Sequence, residues 1–484
     1  MKYILDRRFR LRGWQRAPYA LFDTQKKEPE FLPRDLFLTL IQCDGAHDLN
    51  EGEMDEAAAE SLQRMRKLRM VRPALPGEIL SREQAYLQYP ARYKRNIHWS
   101  ITGACNLKCR HCFMSAPHAK HGNPSHEQLV YVMDQLADCG IFQVGLTGGE
   151  PLIRGDFFEI LEELAAREIG VDVIYTNGWL IDEHLLDALD RIFPDMKVSF
   201  QLSFDGVGAH DFLRGMPGAE KRTLQALALL QERGHSVNIS MCLHRKNMDT
   251  VRESVKLMAS LGVRSMKVGD MMNLGEWTDP ALRDLEITPE ERMSFFESYI
   301  PQYFEDDAPL SIMLSGMFSY TPGAPEWDSF LVKPCEPEMR DKSLSCSSLT
   351  RNLYIGADGV VAPCMGMADC SFASRFPNLF DTPLREILGD SELMKFCNVT
   401  VSEVHNGNDE CAVCPYKDRC SGGCRNTVLL EGDNYYGADH EACWFFRHNG
   451  EERIRNAAKN AFAAYMARHP EYKDTTKDQN HQPS

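Results

Sequence analysis

The chain has 484 residues, of which 43% are hydrophobic, and its formal net charge is −16 at pH 7. That length suggests two to four domains with a sizeable buried core. The acidic balance excludes nucleic acid as the main partner, because phosphate contacts need a dense basic surface. No apolar run approaches the roughly 20 residues that span a bilayer, and the basic start lacks the apolar segment of a signal peptide. We therefore expect a cytoplasmic protein that binds neither nucleic acid nor membranes.

Residues 1–95 are predicted to form a separate small unit. The segments YILDRRFRLRG and PYALFD have the alternating apolar pattern of short strands. FLPRDLFLTLIQCDG and MDEAAAESLQRMRKLRMV have apolar residues at helical spacing, and the first ends on a glycine. Short strands and short helices in this order favour a winged-helix-like domain.

Residues 96–300 alternate between apolar strand candidates and amphipathic helices. Six strands are predicted, at NIHWSIT, FQVGLT, VDVIYT, VSFQLSF, VNISMCL and SMKVGDM. Strands that are each separated by a helix indicate a parallel sheet with right-handed crossovers. Two further strand–helix units would be needed for an eightfold barrel, and the pattern does not supply them. The fold class is therefore α/β, a partial (β/α)6 barrel.

The rest of the chain divides into three segments. Residues 301–334 are irregular and contain prolines, which predicts a bridge. Residues 335–450 are rich in loops and cysteines and are expected to fold around metal, because their apolar content is too sparse for a core of their own. Residues 451–484 contain a predicted helix, IRNAAKNAFAAYMARH, followed by a polar tail that is predicted to be disordered.

The chain contains 16 cysteines, and they are clustered. A reducing compartment disfavours disulfides and favours metal-binding or catalytic cysteines. Cys105, Cys109 and Cys112 lie in CNLKCRHC, directly after the first barrel strand, where barrel enzymes place their chemistry. Iron–sulfur clusters usually take four thiolates, so three leave one iron open to a small chelating molecule.

A zinc site is the alternative for these three cysteines, since zinc prefers closed tetrahedral sites of sulfur and nitrogen ligands. Its fourth ligand would be one of four nearby histidines, His98, His111, His118 or His121. The next strand, however, ends in LTGGEPLIRGDF. Gly148 and Gly149 allow the backbone to approach a ligand closely, and Glu150 adds a carboxylate at the strand end. A zinc site gives no reason for that loop.

CNLKCRHC followed by TGGEP resembles the radical S-adenosylmethionine (SAM) superfamily. The resemblance implies that the three cysteines hold a [4Fe–4S] cluster and that the backbone of Gly148, Gly149 and Glu150 receives the SAM amino group. It also implies that an electron cleaves SAM to a 5′-deoxyadenosyl radical, which removes a hydrogen atom from the substrate. TNG ends the third strand and SFDG the fourth, and the resemblance carries Thr176 and Ser203 over as SAM contacts. An ordinary turn explains TNG equally well.

A second cysteine array lies near the C-terminus. Cys346 and Cys364 flank Gly359 at the spacing C-x12-G-x4-C, CAVCPYKDRCSGGC follows, and Cys443 closes the array. This array resembles the SPASM signature, which carries two auxiliary [4Fe–4S] clusters, so that three clusters are expected in all. A pair of zinc sites is the alternative, since C-x2-C pairs are common in zinc ribbons.

The SPASM resemblance also implies a division of ligands. The first auxiliary cluster would take Cys346, Cys364 and Cys424, and the second would take Cys411, Cys414, Cys420 and Cys443. Cys335 is the candidate fourth ligand of the first cluster, Cys370 competes with it, and an open iron that binds substrate is a further alternative. The remaining cysteines are expected to be small buried apolar residues: Cys43, Cys139, Cys242 and Cys397.

Residues 1–95 resemble the leader-recognition (PqqD-like) domain of peptide-modifying enzymes, in which a leader peptide adds a strand to a sheet edge. The first sixteen residues carry six basic side chains in an otherwise acidic chain, which suits an acidic leader; a solvated strand face is the alternative. These basic residues are Lys2, Arg7, Arg8, Arg10, Arg12 and Arg16.

These features predict an enzyme that modifies a ribosomally made precursor peptide by installing a thioether or carbon–carbon link. Its reductant would be a flavodoxin or ferredoxin. The alternatives are an anaerobic sulfatase-maturating enzyme that forms formylglycine, which needs no leader-binding domain, and a non-catalytic zinc protein that recruits a peptide. No catalytic acid or base is identified, because Asp205, Asp270 and Glu276 near strand ends are explained equally well as solvated loop acids.

Overall fold

The computed structural model describes residues 1–49, 54, 56–432 and 434–472 of the chain. The polar tail after residue 472, for which the sequence predicts disorder, lies outside the described residues. Within the described part of the chain, none of the helices is both long enough and apolar enough to cross a membrane.

The first unit of the chain contains two small sheets and two helices. One sheet has the order β5-β1-β6 and the other β4-β3-β2-β7, and the buried residues of this unit include Phe37, Leu40 and Leu62 in a core of their own. The winged-helix interpretation stays a prediction. The elements are β1 (Lys2–Leu5), β2 (Phe9–Gln15), β3 (Ala17–Asp23), β4 (Glu28–Phe31), α1 (Arg34–Ile41), β5 (Asp44–Asp48), α2 (Glu56–Lys67), β6 (Val71–Pro73) and β7 (Leu87–Arg92).

An aromatic cluster joins this unit to the amino end of the barrel. The Trp14 ring is fully buried, with centroids 4.8 Å from Tyr93 and 6.4 Å from Phe142. Its indole N–H donates to the Cys139 carbonyl at 3.0 Å. Aromatic contacts of this kind add stability beyond their buried area, so the two units are held together by specific packing.

Most of the basic side chains near the start of the chain have partners within it. Arg8 forms an ion pair with Asp23, and Arg10 donates to Glu168 at 2.6 Å. Arg12 is only 5% exposed and donates to three backbone carbonyls. This finding corrects the expectation of a free basic face for an acidic leader, because these three guanidinium groups already have acceptors inside the fold.

The middle of the chain alternates strands and helices as predicted. α3 begins with a capping box between Ser125 and Gln128, which satisfies its first backbone N–H groups. The elements are β8 (Asn96–Ser100), α3 (His126–Asp138), β9 (Gln143–Thr147), α4 (Phe157–Ala166), β10 (Gly170–Thr176), α5 (Glu183–Ile192), β11 (Ser199–Ser203), α6 (His210–Arg214), α7 (Ala219–Glu232), β12 (Val237–Cys242), α8 (Val251–Ser260), β13 (Ser265–Gly269), α9 (Pro289–Glu305), β14 (Ser311–Leu314) and β15 (Phe318–Tyr320).

The C-terminal part of the chain consists of short helices around two small strands, followed by one long helix. The elements are α10 (Ser347–Arg351), β16 (Asn352–Ile355), β17 (Val361–Ala362), α11 (Leu384–Ile387), α12 (Glu392–Cys397), α13 (Val401–Asn406), α14 (Asp409–Ala412), α15 (Arg425–Glu431), α16 (His440–Arg447) and α17 (Gly450–Arg468).

These strands build one ten-stranded sheet in the order β15-β14-β13-β12-β11-β10-β9-β8-β16-β17. The six predicted strands are β8 to β13, all parallel, and the partial barrel is confirmed. Sequence analysis missed β14 and β16, which extend the parallel sheet at its two edges. β14 and β15 lie in the segment predicted to be an irregular bridge. Among the described residues the two edges do not pair with each other, so the barrel is open.

The C-terminal part shares the barrel's core. Leu379, Leu384 and Leu388 are fully buried and belong to the same apolar cluster as the barrel residues Leu146 and Phe200. Residues 335–450 thus bury apolar side chains in a core shared with the barrel, and the expectation that they fold around metal stays a prediction. The region borrows the surface of the barrel, to which β16 is paired directly.

His121 ties the loop that carries CNLKCRHC to the C-terminal part. Its Nδ1 lies 2.8 Å from Asp358 and its Nε2 lies 2.9 Å from Asp369, so both ring nitrogens face carboxylates. The two hydrogen bonds raise the pKa of His121 to about 9. A doubly donating imidazolium therefore spans the two parts of the chain around neutral pH.

Replacing His121 by Gln should destabilise the protein by about 2 kcal/mol near neutral pH, since hydrogen bonds to charged groups contribute about 1.5–3 kcal/mol. The folded pKa of about 9 exceeds the ordinary 6.5, so this stabilisation is complete below about pH 6.5 and is lost as the pH rises through about 9. Urea unfolding of both proteins under anaerobic conditions, at about pH 6.5 and about pH 9.5, measures it. A difference that does not shrink with rising pH contradicts the charged-imidazolium account.

Candidate functional site

The three cysteines of the first motif lie on the loop after β8, and we call them the N-terminal set. Each sulfur faces an N–H donor. The backbone N–H of Leu107 lies 3.4 Å from the Cys105 sulfur, and that of Ala116 lies 3.3 Å from the Cys112 sulfur. The Arg214 guanidinium lies 3.8 Å from the Cys109 sulfur. Burial raises the pKa of all three thiols, and these donors oppose the rise by favouring the thiolate, which is the form that binds metal.

The spacing of the sulfurs separates a cluster from a single zinc ion. Tetrahedral zinc at about 2.3 Å from each sulfur draws its thiolates to about 3.8 Å from one another. Among the described residues, one trio of ligand atoms lies within 4.8 Å of one another, from His111, Asp205 and Cys242, and no trio of cysteines does. Asp205 is already paired with the Arg214 guanidinium at 2.7 Å. Among the described residues, no three cysteine sulfurs are thus as close together as a tetrahedral zinc site would hold them.

Gly148 and Gly149 pack against the cysteine loop itself. A Cβ on Gly148 would lie 2.3 Å from the Thr102 carbonyl oxygen, and one on Gly149 would lie 2.2 Å from that of Ala104. Gly148 also has a φ of 145°, a backbone conformation that L side chains rarely adopt. The N–H groups of Gly149 and Glu150 donate to these two carbonyls at 2.9 Å. Because neither glycine has a side chain, the two loops can make direct backbone contact.

Glu150 is fully buried and accepts three hydrogen bonds. Thr176 donates its hydroxyl at 2.8 Å, Asn177 donates its backbone N–H at 2.8 Å, and Leu152 donates its backbone N–H at 3.1 Å. Burial raises the pKa of Glu150 to about 7, while these donors oppose the rise. The carboxylate therefore fixes the ends of β9 and β10 relative to each other, and the Thr176 hydroxyl, predicted to face SAM, is engaged with Glu150.

Asn177 connects this carboxylate to the N-terminal set. Its side-chain amide donates to the Asn106 side chain at 2.8 Å and lies 3.9 Å from the Cys105 sulfur. Asn177 belongs to the TNG segment, but nothing in the sequence singled it out as a functional residue. Only the fold brings the end of β10 beside the cysteine loop, so spacing along the chain gave no signal for this contact.

Ser203 is half-buried at the end of β11, and Asp205, two residues later, is fully buried. Asp205 accepts the Arg214 guanidinium N–H at 2.7 Å and the Cys242 backbone N–H at 3.0 Å. The Arg214 charge holds the pKa of Asp205 far below its usual range against the opposing effect of burial. Asp205 is thus a buried ion-pair partner and not a solvated loop acid, and Arg214 is a residue that sequence analysis missed.

The other two acids near strand ends have different settings. Asp270 pairs with Arg292 at 2.9 Å and accepts the Ser315 hydroxyl at 2.7 Å. Glu276 lies over the N-terminal set, because its backbone N–H donates to the Cys112 carbonyl at 3.0 Å. Its carboxylate lies 3.7 Å from His118. Neither arrangement identifies a catalytic acid or base.

Four C-terminal cysteines line a single cavity, and we call them the second auxiliary set: Cys411, Cys414, Cys420 and Cys443. Burial raises the pKa of Cys443 to about 12, with Cys420 and Cys411 among the neighbours that raise it further. Lys417, Arg447 and Asp439 also line this cavity. The four cysteines therefore lie together, and their role as ligands of one cluster stays a prediction.

The first auxiliary set consists of Cys346, Cys364 and Cys424. Burial raises the pKa of Cys364 to about 12, and the neighbouring Cys424 and Cys346 raise it further. Asp439 links the two auxiliary sets, since it accepts the Cys424 backbone N–H at 2.6 Å and lines the second cavity.

The cysteines outside these sets lie in several environments. The Cys335 backbone N–H donates to the Asp418 carbonyl at 3.0 Å, and the Cys370 thiol donates to the Met367 carbonyl at 3.1 Å. The four cysteines predicted to be apolar core residues differ in burial: Cys43, Cys139 and Cys397 are buried, whereas Cys242 is partly exposed.

Comparison with known proteins agrees with this geometry. The chain matches the radical SAM superfamily over residues 99–258 and an iron–sulfur cluster-binding domain, SPASM, over residues 346–415. It is 26% identical over 354 residues to an AdoMet-dependent heme synthase of Methanosarcina barkeri, a match that covers 70% of this chain and 94% of the relative. It is 24% identical over 334 residues to the antilisterial bacteriocin subtilosin biosynthesis protein AlbA of Bacillus subtilis, covering 67% of this chain and 66% of that protein.

Among solved structures, the chain resembles Streptococcus suis SuiB bound to precursor peptide SuiA, with a TM-score of 0.58 and 16% identity. The match covers 91% of this chain and 99% of that one. Residues 96–484 make up only about 80% of the chain, so the shared fold includes part of the N-terminal unit. The chain thus contains a radical SAM domain followed by a SPASM iron–sulfur cluster-binding domain.

Proposed function

We propose that this protein is a radical SAM maturase that takes a hydrogen atom from a ribosomally made precursor peptide and installs a thioether or carbon–carbon link. The observation that carries the proposal is the combination of three cysteine sets with an attached N-terminal unit. The likeness to AlbA and to SuiB with its precursor peptide supports a peptide substrate.

In this proposal the N-terminal set holds a [4Fe–4S] cluster with one open iron, and the two auxiliary sets each hold a further [4Fe–4S] cluster. When bound and reduced, the first cluster and SAM together supply a 5′-deoxyadenosyl radical that abstracts hydrogen. The residues present fit these groups, because the cysteines are partly buried, those of the N-terminal set face N–H donors, and no three sulfurs are as close as one zinc ion would draw them.

The protein's own residues then position SAM. The loop at Gly148, Gly149 and Glu150 is fixed against the cysteine loop, and its backbone is assigned to the SAM amino group. Glu150 keeps that loop in place through Thr176 and Asn177. Ser203, at the end of the neighbouring strand, and Thr176 complete the proposed SAM contacts.

The N-terminal unit is proposed to hold the leader of the peptide through apolar contacts. Of the 13 exposed large hydrophobic residues in the described chain, eight lie in the first 87 positions, and Ile79, Met1 and Leu75 are the most exposed of these eight, at 70%, 67% and 66%. Exposed apolar side chains that form one patch mark an interaction surface, and we propose that these residues supply it. Because Arg8, Arg10 and Arg12 have internal partners, an acidic leader is not required.

The alternative of a sulfatase-maturating enzyme is weaker, because such an enzyme needs no leader-binding unit. It gives no role to the N-terminal unit, which packs on the barrel through Trp14. The zinc-scaffold alternative conflicts with the spacing of the sulfurs.

The proposal includes a cytoplasmic location and a small reductant such as a flavodoxin or ferredoxin. All sixteen cysteines are free thiols in the structure, which suits a reducing compartment.

Coexpression with a candidate precursor peptide, sought among small open reading frames beside the gene, tests the function. The wild-type enzyme should change the peptide's mass by the loss of two hydrogens, the signature of one new cross-link, measured by mass spectrometry. The variant with Cys105, Cys109 and Cys112 all replaced by Ala should give unmodified peptide and no 5′-deoxyadenosine with SAM and a reductant. Deoxyadenosine from that variant contradicts the assignment.

The binding affinity of the same peptide tests the role of the N-terminal unit. Ile79→Asp should weaken binding of this peptide about tenfold, as expected for losing about 1.4 kcal/mol of apolar contact. Leu180→Asp, at a partly exposed apolar residue of the barrel, is the matched control and should bind normally. Equal binding by both variants would remove the N-terminal unit from the proposal.

Arg214 is expected to set the reduction potential of the N-terminal cluster, because charge and hydrogen bonds at ligand sulfurs tune iron–sulfur potentials. Asp205→Asn leaves the guanidinium charge uncompensated beside Cys109 and should raise the potential. Adding Arg214→Met removes that charge and should lower it by about 60 mV relative to the single variant, a tenfold change for a one-electron couple. Redox titration followed by EPR measures both.

The double variant keeps the buried site neutral, so it avoids an unpaired buried charge that would unfold the protein. Arg233→Met, which breaks a surface ion-pair group, is the control and should leave the potential unchanged. Potentials that agree for all four proteins would show that Arg214 does not act on the cluster.

A further inference from the structure

A patch of positive charge lies beside the N-terminal set, in a chain whose net charge is −16. Lys108 and Arg110 lie in CNLKCRHC, Lys246 follows β12, and all three side chains are exposed. A Cβ on Gly215, at the end of α6, would lie 2.2 Å from the Lys108 carbonyl oxygen, so the motif packs directly on this helix. Phe212 of α6 lies between two of the cations. We call Lys108, Arg110, Phe212 and Lys246 the basic patch.

Phe212 organises the charges of the basic patch. The Arg110 guanidinium carbon lies 4.7 Å from the centroid of the Phe212 ring, and the Lys246 ammonium lies 4.4 Å from it. Arg110 also donates a side-chain N–H to the Phe212 carbonyl at 3.0 Å and its backbone N–H to the Leu213 carbonyl at 2.9 Å. An aromatic ring attracts cations to its face. The two charges are therefore held together at the surface.

Nearby acids do not neutralise the basic patch. Among the described residues none of its three cations has an ion-pair partner, whereas the neighbouring Arg245 pairs with Glu291 at 2.8 Å. The acid of α6, Asp211, is engaged inside the fold, where its carboxylate accepts the backbone N–H groups of Gly218 and Glu220 at 2.6 and 2.7 Å. The patch is thus a positive surface in an acidic protein, and it attracts a partner of negative charge.

Two sides of the N-terminal set are covered by other parts of the site. On the Cys105 side, the Asn177 amide lies 3.9 Å from the sulfur. On the Cys112 side, the Glu276 backbone N–H donates to the Cys112 carbonyl at 3.0 Å. The third cysteine, Cys109, lies on the side of the basic patch.

α6 connects the basic patch to the Cys109 sulfur. Phe212 belongs to the patch, and Arg214, two residues later on the same helix, places its guanidinium 3.8 Å from that sulfur. Arg110 directly follows Cys109, so their Cα atoms are about 3.8 Å apart. A partner bound at the patch therefore comes within one or two residues of a cluster ligand without entering the proposed SAM site.

We propose that the basic patch docks an acidic one-electron carrier protein, which reduces the cluster of the N-terminal set. The inference rests on the proposed function, since it assumes that this set holds an iron–sulfur cluster. In the step the carrier loses one electron and the cluster gains it, while no bond forms or breaks. Docking through charge speeds the encounter and gives a weak, salt-sensitive complex. Such a complex suits a carrier that leaves after delivering its electron.

The test compares flavodoxin, an acidic carrier, with dithionite, a small reductant that needs no docking surface. In the triple variant Lys108→Glu, Arg110→Glu and Lys246→Glu, reduced flavodoxin should yield 5′-deoxyadenosine from SAM at least about tenfold more slowly at low ionic strength, because charge steering speeds association by about 10–10³. Its rate with dithionite and its iron content should equal those of the wild-type protein.

A binding measurement accompanies these rates. Calorimetric titration with oxidised flavodoxin should show at least about a tenfold loss of affinity in the triple variant, since like charges then face each other across the interface. Added salt should weaken binding by the wild-type protein, because exposed charges are screened. This readout does not depend on turnover.

Three further variants separate docking from damage to the motif. Lys246→Glu alone leaves the cysteine loop unchanged and should give values between those of the wild-type protein and the triple variant. Arg110→Lys with Lys246→Arg keeps the charges and should behave as the wild-type protein does. Arg264→Glu, at an exposed arginine before β13 and so at the opposite end of the sheet, is the matched control and should bind flavodoxin normally.

Equal affinities and equal flavodoxin-dependent rates for the wild-type protein and the triple variant overturn the inference, as does a wild-type protein that does not bind flavodoxin. A triple variant that loses affinity for the precursor peptide, but not for flavodoxin, also overturns it, because the patch would then dock the substrate. A wild-type protein that makes no 5′-deoxyadenosine even with dithionite would instead refute the proposed function.

Discussion

The site depends on the backbone contact between the Gly148–Glu150 loop and the start of the cysteine loop. The two loops follow neighbouring parallel strands, so their carboxyl ends meet at one edge of the sheet. Contact at this distance excludes a Cβ at Gly148 and Gly149. Buried Glu150 then locks the third strand to the same edge through Thr176 and Asn177.

Charged and polar side chains at the same edge of the sheet face the sulfurs of the N-terminal set. Arg214 and Asp205 form a buried ion pair that faces Cys109, while Asn177 faces Cys105. Fixed donors of this kind need no rearrangement when charge on a cluster changes. On the other side, β16 and His121 attach the auxiliary sets to the barrel. The three cysteine sets therefore belong to one continuous framework, joined by a shared sheet and a shared core.

The sequence predicted what depends on local pattern. Six strands follow from apolar runs between helices, and the N-terminal set follows from the spacing within CNLKCRHC. The division of the C-terminal cysteines into two sets came from the SPASM resemblance. It missed β14 and β16, because four-residue strands within loop-rich segments have too short a pattern to detect. It predicted that Arg8, Arg10 and Arg12 bind a leader peptide, because a sequence does not show which carboxylates and backbone carbonyls the fold brings beside these guanidinium groups. It missed Asn177 and Arg214 for the same reason.

The central claim is that the cysteine sets hold iron–sulfur clusters and not zinc. Analysis of iron, acid-labile sulfide and zinc in anaerobically purified protein tests it most directly. The account predicts a brown protein with about twelve irons and about twelve sulfides per chain, from three four-iron clusters. Stoichiometric zinc without sulfide, in a colourless and air-stable protein, would contradict it.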